Sequence, residues 1–190
     1  MESDIELMLR TKAGDDSAFS ELMNRHYKGV LNYIYRFTNL KENSEDLAQE
    51  VFLRVYRSAS KYRPEAKFTT WLYKIATNVS LTYVKKKNTN VSLDEMNQNT
   101  GEYEDSDIEI SDDIIYRKEM KNVIFSAMET LPEREKIAIM LCKYEGLSYG
   151  ETAIVLECTV GAVKAYVHRG RMKLVNKLKP YLTEEGEYGL

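Results

Sequence analysis

The chain has 190 residues, 43% of them hydrophobic, with nine Gly and three Pro. That size and composition suit one or two mostly helical domains. Cys142 and Cys158, its two cysteines, show neither CxxC spacing nor His neighbours, which argues against a metal site or a disulfide framework and for thiols in a reducing compartment. The net charge of −3 speaks against a nucleic-acid partner only until it is divided along the chain. Residues 1–87 hold 15 basic and 11 acidic side chains, 88–113 hold none and 9, and 114–190 hold 12 and 10. Two mildly basic pieces therefore flank a strongly acidic one.

The first residues, Met1-Glu2-Ser3-Asp4-Ile5-Glu6, are acidic and lack the apolar run of a secretory signal. No stretch approaches the roughly 20 apolar residues of a membrane span. The expectation is a cytoplasmic protein with no membrane insertion of its own. A short amphipathic helix is predicted from about Ile5 to Thr11, broken at Gly14-Asp15-Asp16. Asp16 is expected to cap a longer helix, on which Phe19, Leu22, Met23, Val30, Leu31, Ile34, Tyr35 and Phe37 recur at helical spacing through about Thr38. His26 lies in it without a ligand partner and reads as a surface or packing residue.

After a turn at 39–43, Ser44 is expected to cap the next helix, with Glu45 and Asp46 in its first turn, where acids favour the positive end of the dipole. Leu47, Val51, Phe52, Val55 and Tyr56 form its buried stripe, while Asp46, Gln49 and Glu50 stand together at i, i+3 and i+4 on a polar face. That face is either solvated or a dock for a basic partner. The segment 61–70 contains Pro64 and no helical period, so it reads as a loop. Thr69 or Thr70 then caps a helix with Trp71, Leu72, Ile75, Ala76 and Val79 on its apolar side. Lys74, Asn78, Tyr83 and Lys85-Lys86-Lys87 are interleaved, a mixture of stacking, amide and cationic groups that suits single-stranded DNA. Trp71 itself reads as a core residue, because an indole on an apolar stripe usually packs.

From 88 to 113 the acids lie among few aliphatic residues, so this stretch is expected to be a flexible linker, either a tether or a mimic of nucleic-acid charge. Helix resumes at about Ile114 and runs to Thr130. Pro132 and Glu133 start another, with Ile137, Ala138, Met140 and Leu141 on its buried side, ending near Glu145-Gly146. Ser148 and Glu151 have the spacing of a capping box and Thr159 repeats the N-cap signal. With only Leu156-Glu157-Cys158 between them, the two helices form a helix-turn-helix. On the second helix Val160, Val163, Val167 and Leu174 keep an apolar face, while Lys164, His168 and Arg171 form a wet face that fits a DNA major groove. The tail after Pro180 is acidic, short and expected to fray.

Several stretches, in order, resemble the extracytoplasmic-function sigma factors of the bacterial sigma-seventy superfamily. They are Ser44-Glu45-Asp46-Leu47-Ala48-Gln49-Glu50-Val51-Phe52, Phe68-Thr69-Thr70-Trp71-Leu72-Tyr73-Lys74-Ile75-Ala76-Thr77-Asn78, Leu131-Pro132-Glu133-Arg134, Glu145-Gly146-Leu147-Ser148-Tyr149, Val160-Gly161-Ala162-Val163-Lys164 and His168-Arg169-Gly170-Arg171. The resemblance implies an all-α protein of two helical domains: 1–88 for core polymerase docking and minus-ten recognition and melting, an acidic linker at 89–113, and 114–190 with the helix-turn-helix for minus-thirty-five recognition. It implies an alternative sigma factor, not itself an enzyme, with no cofactor or metal. Its partners would be core RNA polymerase, promoter DNA and an anti-sigma factor.

By the same resemblance Asp46, Gln49, Glu50 and Leu53 dock on polymerase, and Arg63, Lys67, Phe68, Thr70, Lys74 and Asn78 bind the minus-ten strand, capturing a flipped base. Lys164, Ala165, His168, Arg169 and Arg171 face the minus-thirty-five element. Two departures stand out. Ala165 and Tyr166 replace the frequent Ser and Arg, thinning direct base readout, and Pro64 stands where Gly is frequent in the base-capture loop. The rival readings are a helix-turn-helix repressor or activator, which would need a dimerisation element, and a nucleic-acid hydrolase, which would need clustered carboxylates on a DNA-facing surface.

Overall fold

A computed structural model of the protein describes residues 2–40, 42–90 and 112–181. Of the expected linker, residues 91–111 lie outside the described residues, as do residues 182–190 of the expected frayed tail. Among the described residues the architecture is all-α. Eight helices run α1 (Asp4–Lys12), α2 (Asp16–Thr38), α3 (Ser44–Arg57), α4 (Phe68–Asn90), α5 (Asp112–Glu129), α6 (Glu133–Ile139), α7 (Tyr149–Leu156) and α8 (Val160–Leu178). One-turn 3-10 segments, Ala59–Lys61 and Lys179–Tyr181, follow α3 and α8, and a π-helical turn, Met140–Tyr144, prolongs α6.

Local chemistry sets most of the boundaries. Ser3 and Glu6 form a capping box at the start of α1, a signal present in the sequence at the S-x-x-E spacing. The cap of α2 is Asp15 rather than Asp16: its carboxylate accepts from the Ser17 and Ala18 amides. Asn43, not Ser44, occupies the N-cap of α3, without a side-chain cap bond. Ser44 is already helical and buried, and its hydroxyl donates back to the Leu40 carbonyl. Both shifts have one cause, since two polar residues in succession can each serve as cap and the packing of the preceding turn selects one. α2 ends at Asn39, which takes the left-handed conformation at φ 54° that Asn tolerates.

The N-terminal half packs α1 to α4 around aromatic rings. Tyr33 is fully buried between Phe37 and Tyr73, with ring centroids 6.1 and 5.3 Å away. Its hydroxyl shares a hydrogen bond with Thr77 Oγ1 at 2.7 Å, as a phenol in a core requires. Tyr62, Phe68 and Trp71 form a second cluster at 5.1 to 6.5 Å. His26 stacks toward Phe68 at 5.3 Å and its Nε2 lies 2.8 Å from Asp4, so it is a packing residue held by a neighbouring carboxylate.

In the C-terminal half α8 crosses α6 at Gly170. A Cβ at that position would meet Ile139 Cδ1 at 2.5 Å and Glu135 Cβ at 3.4 Å, so the absent side chain is what lets the two helices approach. Val163 and Val167 are buried on the same face, whereas Val160, expected there too, is 43% exposed. It occupies the first turn of α8, beyond the reach of α6. The capping box at Ser148 and Glu151 and the Thr159 cap are both formed.

The two halves share one continuous apolar core. Their contact runs chiefly through α4 and α7, with Tyr35 of α2 against Phe125 of α5 at 5.6 Å. Lys136, only 8% exposed, donates to the Phe37 carbonyl at 2.8 Å near the C-terminal end of α2 and pairs with Glu129 at 2.7 Å. A cation there satisfies an orphan carbonyl and complements the helix dipole.

Candidate nucleic-acid and protein interfaces

Three groups of side chains were singled out in the sequence, and the fold treats them differently. On α3, Asp46, Gln49 and Leu53 are exposed along one face, Leu53 to 49%. Glu50 is half-buried beside them, its carboxylate 2.7 Å from Arg54 one turn on. Asp46 and Gln49 have no hydrogen-bonding or ion-pair partner among the described residues. This face carries acid and amide groups around an exposed leucine, the composition of a protein-docking patch with a polar rim.

The second group divides. Arg63 and Asn78 are exposed, and Lys67 and Lys74 stand at the surface of α4 and the loop before it. Phe68 is 2% exposed and Thr70 fully buried, however. The direct DNA contact expected of those two is therefore corrected. Phe68 sits in the Tyr62–Trp71 cluster, so its role is to fix the loop from Arg63 to Lys67 against α4. The helix also starts at Phe68 rather than at a Thr69 or Thr70 cap. Burying the aromatic ring outweighs the capping preference, since a Phe side chain gains roughly 1.5–3 kcal/mol on full burial against about 1 for a cap. Trp71 is partly buried against the core, as expected.

Both remaining lysines of this group face the helix-turn-helix. Lys67 Nζ lies 3.0 Å from Glu151 and Lys74 Nζ 2.8 Å from Glu157. Glu151 is held low, to about 2, mainly by its hydrogen bonds with Ser148 and then by Lys67. Glu157 is also lowered, through Lys74. It takes a left-handed conformation, φ 50°, where α7 turns toward α8, a position that glycine occupies at least cost.

Between these pairs the loop residue Glu145 enters the N-terminal half. Its side chain is 6% exposed; it accepts a short hydrogen bond from the Tyr73 hydroxyl and lies 3.2 Å from Arg36 Nη1. Arg36 also covers the Tyr144 ring at 4.8 Å. Burial pushes the Glu145 carboxyl up, against the opposing pull of Tyr73 and Arg36. The Tyr73 hydroxyl is raised in turn by burial and by the adjacent carboxylate. Glu145, Tyr73 and Arg36 carried no signal as a group in the sequence, because the bonds join residues 72 and 109 positions apart.

On α8 Lys164, His168 and Arg171 are exposed and Ala165 is half-buried. Arg169 is turned aside: its Nε donates to Glu135 at 3.0 Å, and Lys173 reaches the other oxygen of the same carboxylate at 2.9 Å. Burial would raise Glu135, but the two cations prevail and hold it below the usual range. The outward basic face is consequently Lys164, His168 and Arg171, with Arg169 committed to the α6–α8 contact. Among the described residues no three His, Cys, Asp or Glu side chains gather as a metal site, and no helix is long and apolar enough to cross a membrane.

Comparison with known proteins places the chain in a family. The profile described as Sigma-70 region 2 covers residues 22–89, and that described as Sigma-70, region 4 covers 121–174. The chain is 31% identical over 188 residues to the RNA polymerase sigma-H factor of Pseudomonas aeruginosa, spanning 96% of this chain and 97% of that protein. The chain belongs to the extracytoplasmic-function sigma factors of the sigma-70 family. It is 30% identical over 185 residues to the ECF RNA polymerase sigma-E factor of Haemophilus influenzae, covering 95% and 97% of the two chains. The fold of this sigma factor matches that of CnrH, solved in complex with the cytosolic domain of CnrY, at a TM-score of 0.71, 22% identity and coverage of 94% and 99%. It also matches the sigma factor RpoE of Bartonella quintana, solved with the anti-sigma factor NepR, at 0.67, 18% identity and coverage of 87% and 98%. This sigma factor is accordingly an alternative transcription initiation factor, and the expected all-α, two-part architecture with a helix-turn-helix is borne out.

Proposed function

We propose that this sigma factor docks on core RNA polymerase through the α3 face, with Asp46, Gln49 and Leu53 in the contact and Glu50 oriented by Arg54. The observation that carries the assignment is the exposed Asp46–Gln49–Leu53 stripe, whose polar groups have no internal partner among the described residues. Exposed acids and amides with an apolar centre complement a basic helical surface on the partner. Replacing Asp46 and Glu50 together by Ala is expected to weaken capture of core polymerase at least tenfold while the far-ultraviolet circular dichroism stays that of the parent. Unchanged capture would remove α3 from the interface.

Promoter opening falls to the N-terminal half. Arg63, Lys67, Lys74 and Asn78 neutralise and hold the minus-ten strand, with Phe68 and Thr70 supporting them from within. Lys164, His168 and Arg171 of α8 read the minus-thirty-five duplex, with the small Ala165 between them. His168→Ala is expected to cost about 1–3 kcal/mol of promoter affinity if a base contact is lost. The loss should be confined to templates that keep the minus-thirty-five element in a transcription assay. Equal loss on templates without it would argue against the assignment.

The division into a docking and melting domain at 1–88, a linker at 89–113 and a duplex-reading domain at 114–190 follows from this reading, with α4 running two residues past the first boundary and α5 starting two residues before the second. The polymerase performs the phosphoryl chemistry, so the chain is not itself an enzyme, and it acts in the cytoplasm where the polymerase is. An anti-sigma factor is proposed as its regulator, on the analogy of the Bartonella factor solved with NepR.

A further inference from the structure

Glu135 is buried between α6 and α8, yet it holds two cations where one would neutralise it. Arg169 Nε donates to one oxygen at 3.0 Å and Lys173 Nζ to the other at 2.9 Å. An arginine that only anchors a carboxylate frequently grips it with two parallel N–H groups. Arg169 instead uses Nε alone, and its terminal nitrogens have no hydrogen-bond partner among the described residues. The guanidinium lies over the Tyr166 ring, 5.3 Å from the centroid. Four of the five N–H donors of Arg169 and two of the three of Lys173 therefore remain for a ligand, and both side chains are about half-exposed. Gly170 makes the arrangement possible, since a Cβ there would stand 3.4 Å from Glu135 Cβ and keep α6 away.

We propose that Glu135 is a positioning residue for promoter binding: with Tyr166 it fixes Arg169 and Lys173 as a paired clamp on one backbone phosphate of the minus-thirty-five duplex. This role rests on the assignment of α8 to that duplex. A helix with its side chains is about 10–12 Å across and the major groove about 12 Å wide, so residues beside the base-facing line of a recognition helix meet the groove wall, where the phosphates are. Arg169 and Lys173 are so placed. They follow Ala165 at i+4 and i+8, one residue step, about 100°, round α8 from Lys164 and His168. Each cation sits on one oxygen of the same carboxylate, so their heads are neighbours and can share a phosphate. The acid itself is interior and stays off the DNA. Its effect is to order two long side chains before binding, which removes rotamer entropy that the interface would otherwise have to overcome. A phosphate contact carries no sequence information, so Arg169 sets the register of the duplex while Lys164, His168 and Arg171 read its bases.

The test uses holoenzyme, this chain with core polymerase, and a fluorescein-labelled duplex spanning the minus-thirty-five element of a promoter that the holoenzyme transcribes. Affinity is read by anisotropy between about 50 and 200 mM potassium chloride. One lost phosphate contact flattens the salt dependence by about 0.9 in log–log slope, so over that range the parent should lose about 3.5-fold more affinity than Arg169→Ala. Lys173→Ala should match it, and the double variant should flatten no further, because the pair shares one phosphate. The loss should be uniform over duplexes of altered minus-thirty-five sequence, unlike that of His168→Ala. Glu135→Gln is compared with Glu133→Gln, an exposed acid of the same helix with no partner among the described residues. Both remove one negative charge, which by itself favours DNA binding. Glu133→Gln should keep the parent's slope. Glu135→Gln should flatten it as Arg169→Ala does and still discriminate intact from altered elements, whereas a merely structural role would lose that discrimination too.

An unchanged slope in Arg169→Ala overturns the phosphate contact, and a loss confined to one base pair makes Arg169 a base reader instead. Additive flattening in the double variant means two phosphates and no shared clamp. Glu135→Gln behaving as Glu133→Gln does, or losing sequence discrimination along with slope, removes the positioning role. Should Glu135→Gln unfold the chain, Tyr166→Leu makes the same comparison: a flattened slope with discrimination retained supports the clamp, and the parent's slope sinks it. Weakened capture of core polymerase by Arg169→Ala, with DNA affinity intact, would give the pair to a protein contact and reject the proposal. Silence of His168→Ala in the same assay would count against the assignment of α8 itself. A normal His168→Ala effect beside unchanged slopes would reject the clamp alone.

Discussion

In the N-terminal half, long helices are held apart and the space between them is filled by rings: Tyr33, Phe37 and Tyr73 in one cluster, Tyr62, Phe68 and Trp71 in another. In the C-terminal half the helices are shorter and α8 is drawn onto α6 by the missing side chain of Gly170, then clamped by Glu135 between Arg169 and Lys173. The difference matters for function. A ring-filled core fixes a wide surface on which α3 and α4 present separate faces. The close α6–α8 contact fixes one narrow recognition helix and engages a basic residue, Arg169, in doing so. The α3 face is left open, while Lys67, just before α4, and Lys74 on it pair with acids of the other half.

The largest expected effect tests the aromatic side of this contrast. Phe68→Ala should destabilise the protein by about 3–5 kcal/mol in guanidinium unfolding, the usual cost of removing a buried Phe. Normal stability with selective loss of DNA binding would return Phe68 to the strand interface. Next, Gly170→Val should cost about 1–3 kcal/mol by overpacking, and pairing it with Ile139→Ala should restore part of the loss. An unaltered melting curve for Gly170→Val would mean that α6 and α8 do not pack as closely as described.

Ser148→Ala should cost about 1 kcal/mol through the lost cap, read as a lowered midpoint of the C-terminal unfolding transition. The same cap has a pH signature. Glu151 is depressed in the folded state to about 2 from an ordinary value of 4.5. Its contribution is therefore fully present above about pH 4.5 and is lost as the pH falls through about 2. Glu151→Gln should flatten stability across that interval in acid titrations, and an unchanged slope would assign the acid sensitivity elsewhere. The smallest effect is expected at the open face: Asp46→Ala and Gln49→Ala should each change stability by less than about 0.5 kcal/mol, in contrast to their proposed effect on polymerase capture. A large loss of stability from either would make α3 a structural face rather than a docking one.

Much of the site and fold was legible in the chain because it rests on neighbours in sequence. The α7 capping box, the Thr159 cap, the helix stop near Glu145-Gly146 and the apolar stripe of α2 each depend on residues within about one or two helical turns, as does that of α3, although Tyr56, expected to be buried there, is 45% exposed. The caps misplaced by one residue, Asp16 for Asp15 and Ser44 for Asn43, lie where two polar residues compete and only the packing chooses. Ordered motifs likewise sufficed to identify the family, since each domain's signature is local to it.

Composition, period and spacing thus determined the helices and the helix-turn-helix, and the ordered motifs carried the resemblance to the family. Tertiary structure alone decided that Phe68 and Thr70 are interior, that Arg169 turns to Glu135, and that Glu145 crosses into the Arg36–Tyr73 pocket. The physical reason is common to all three. A helical period states which face a residue occupies, but which other face packs against it depends on how distant helices meet, and the energetics of burial and charge pairing are settled only at that contact.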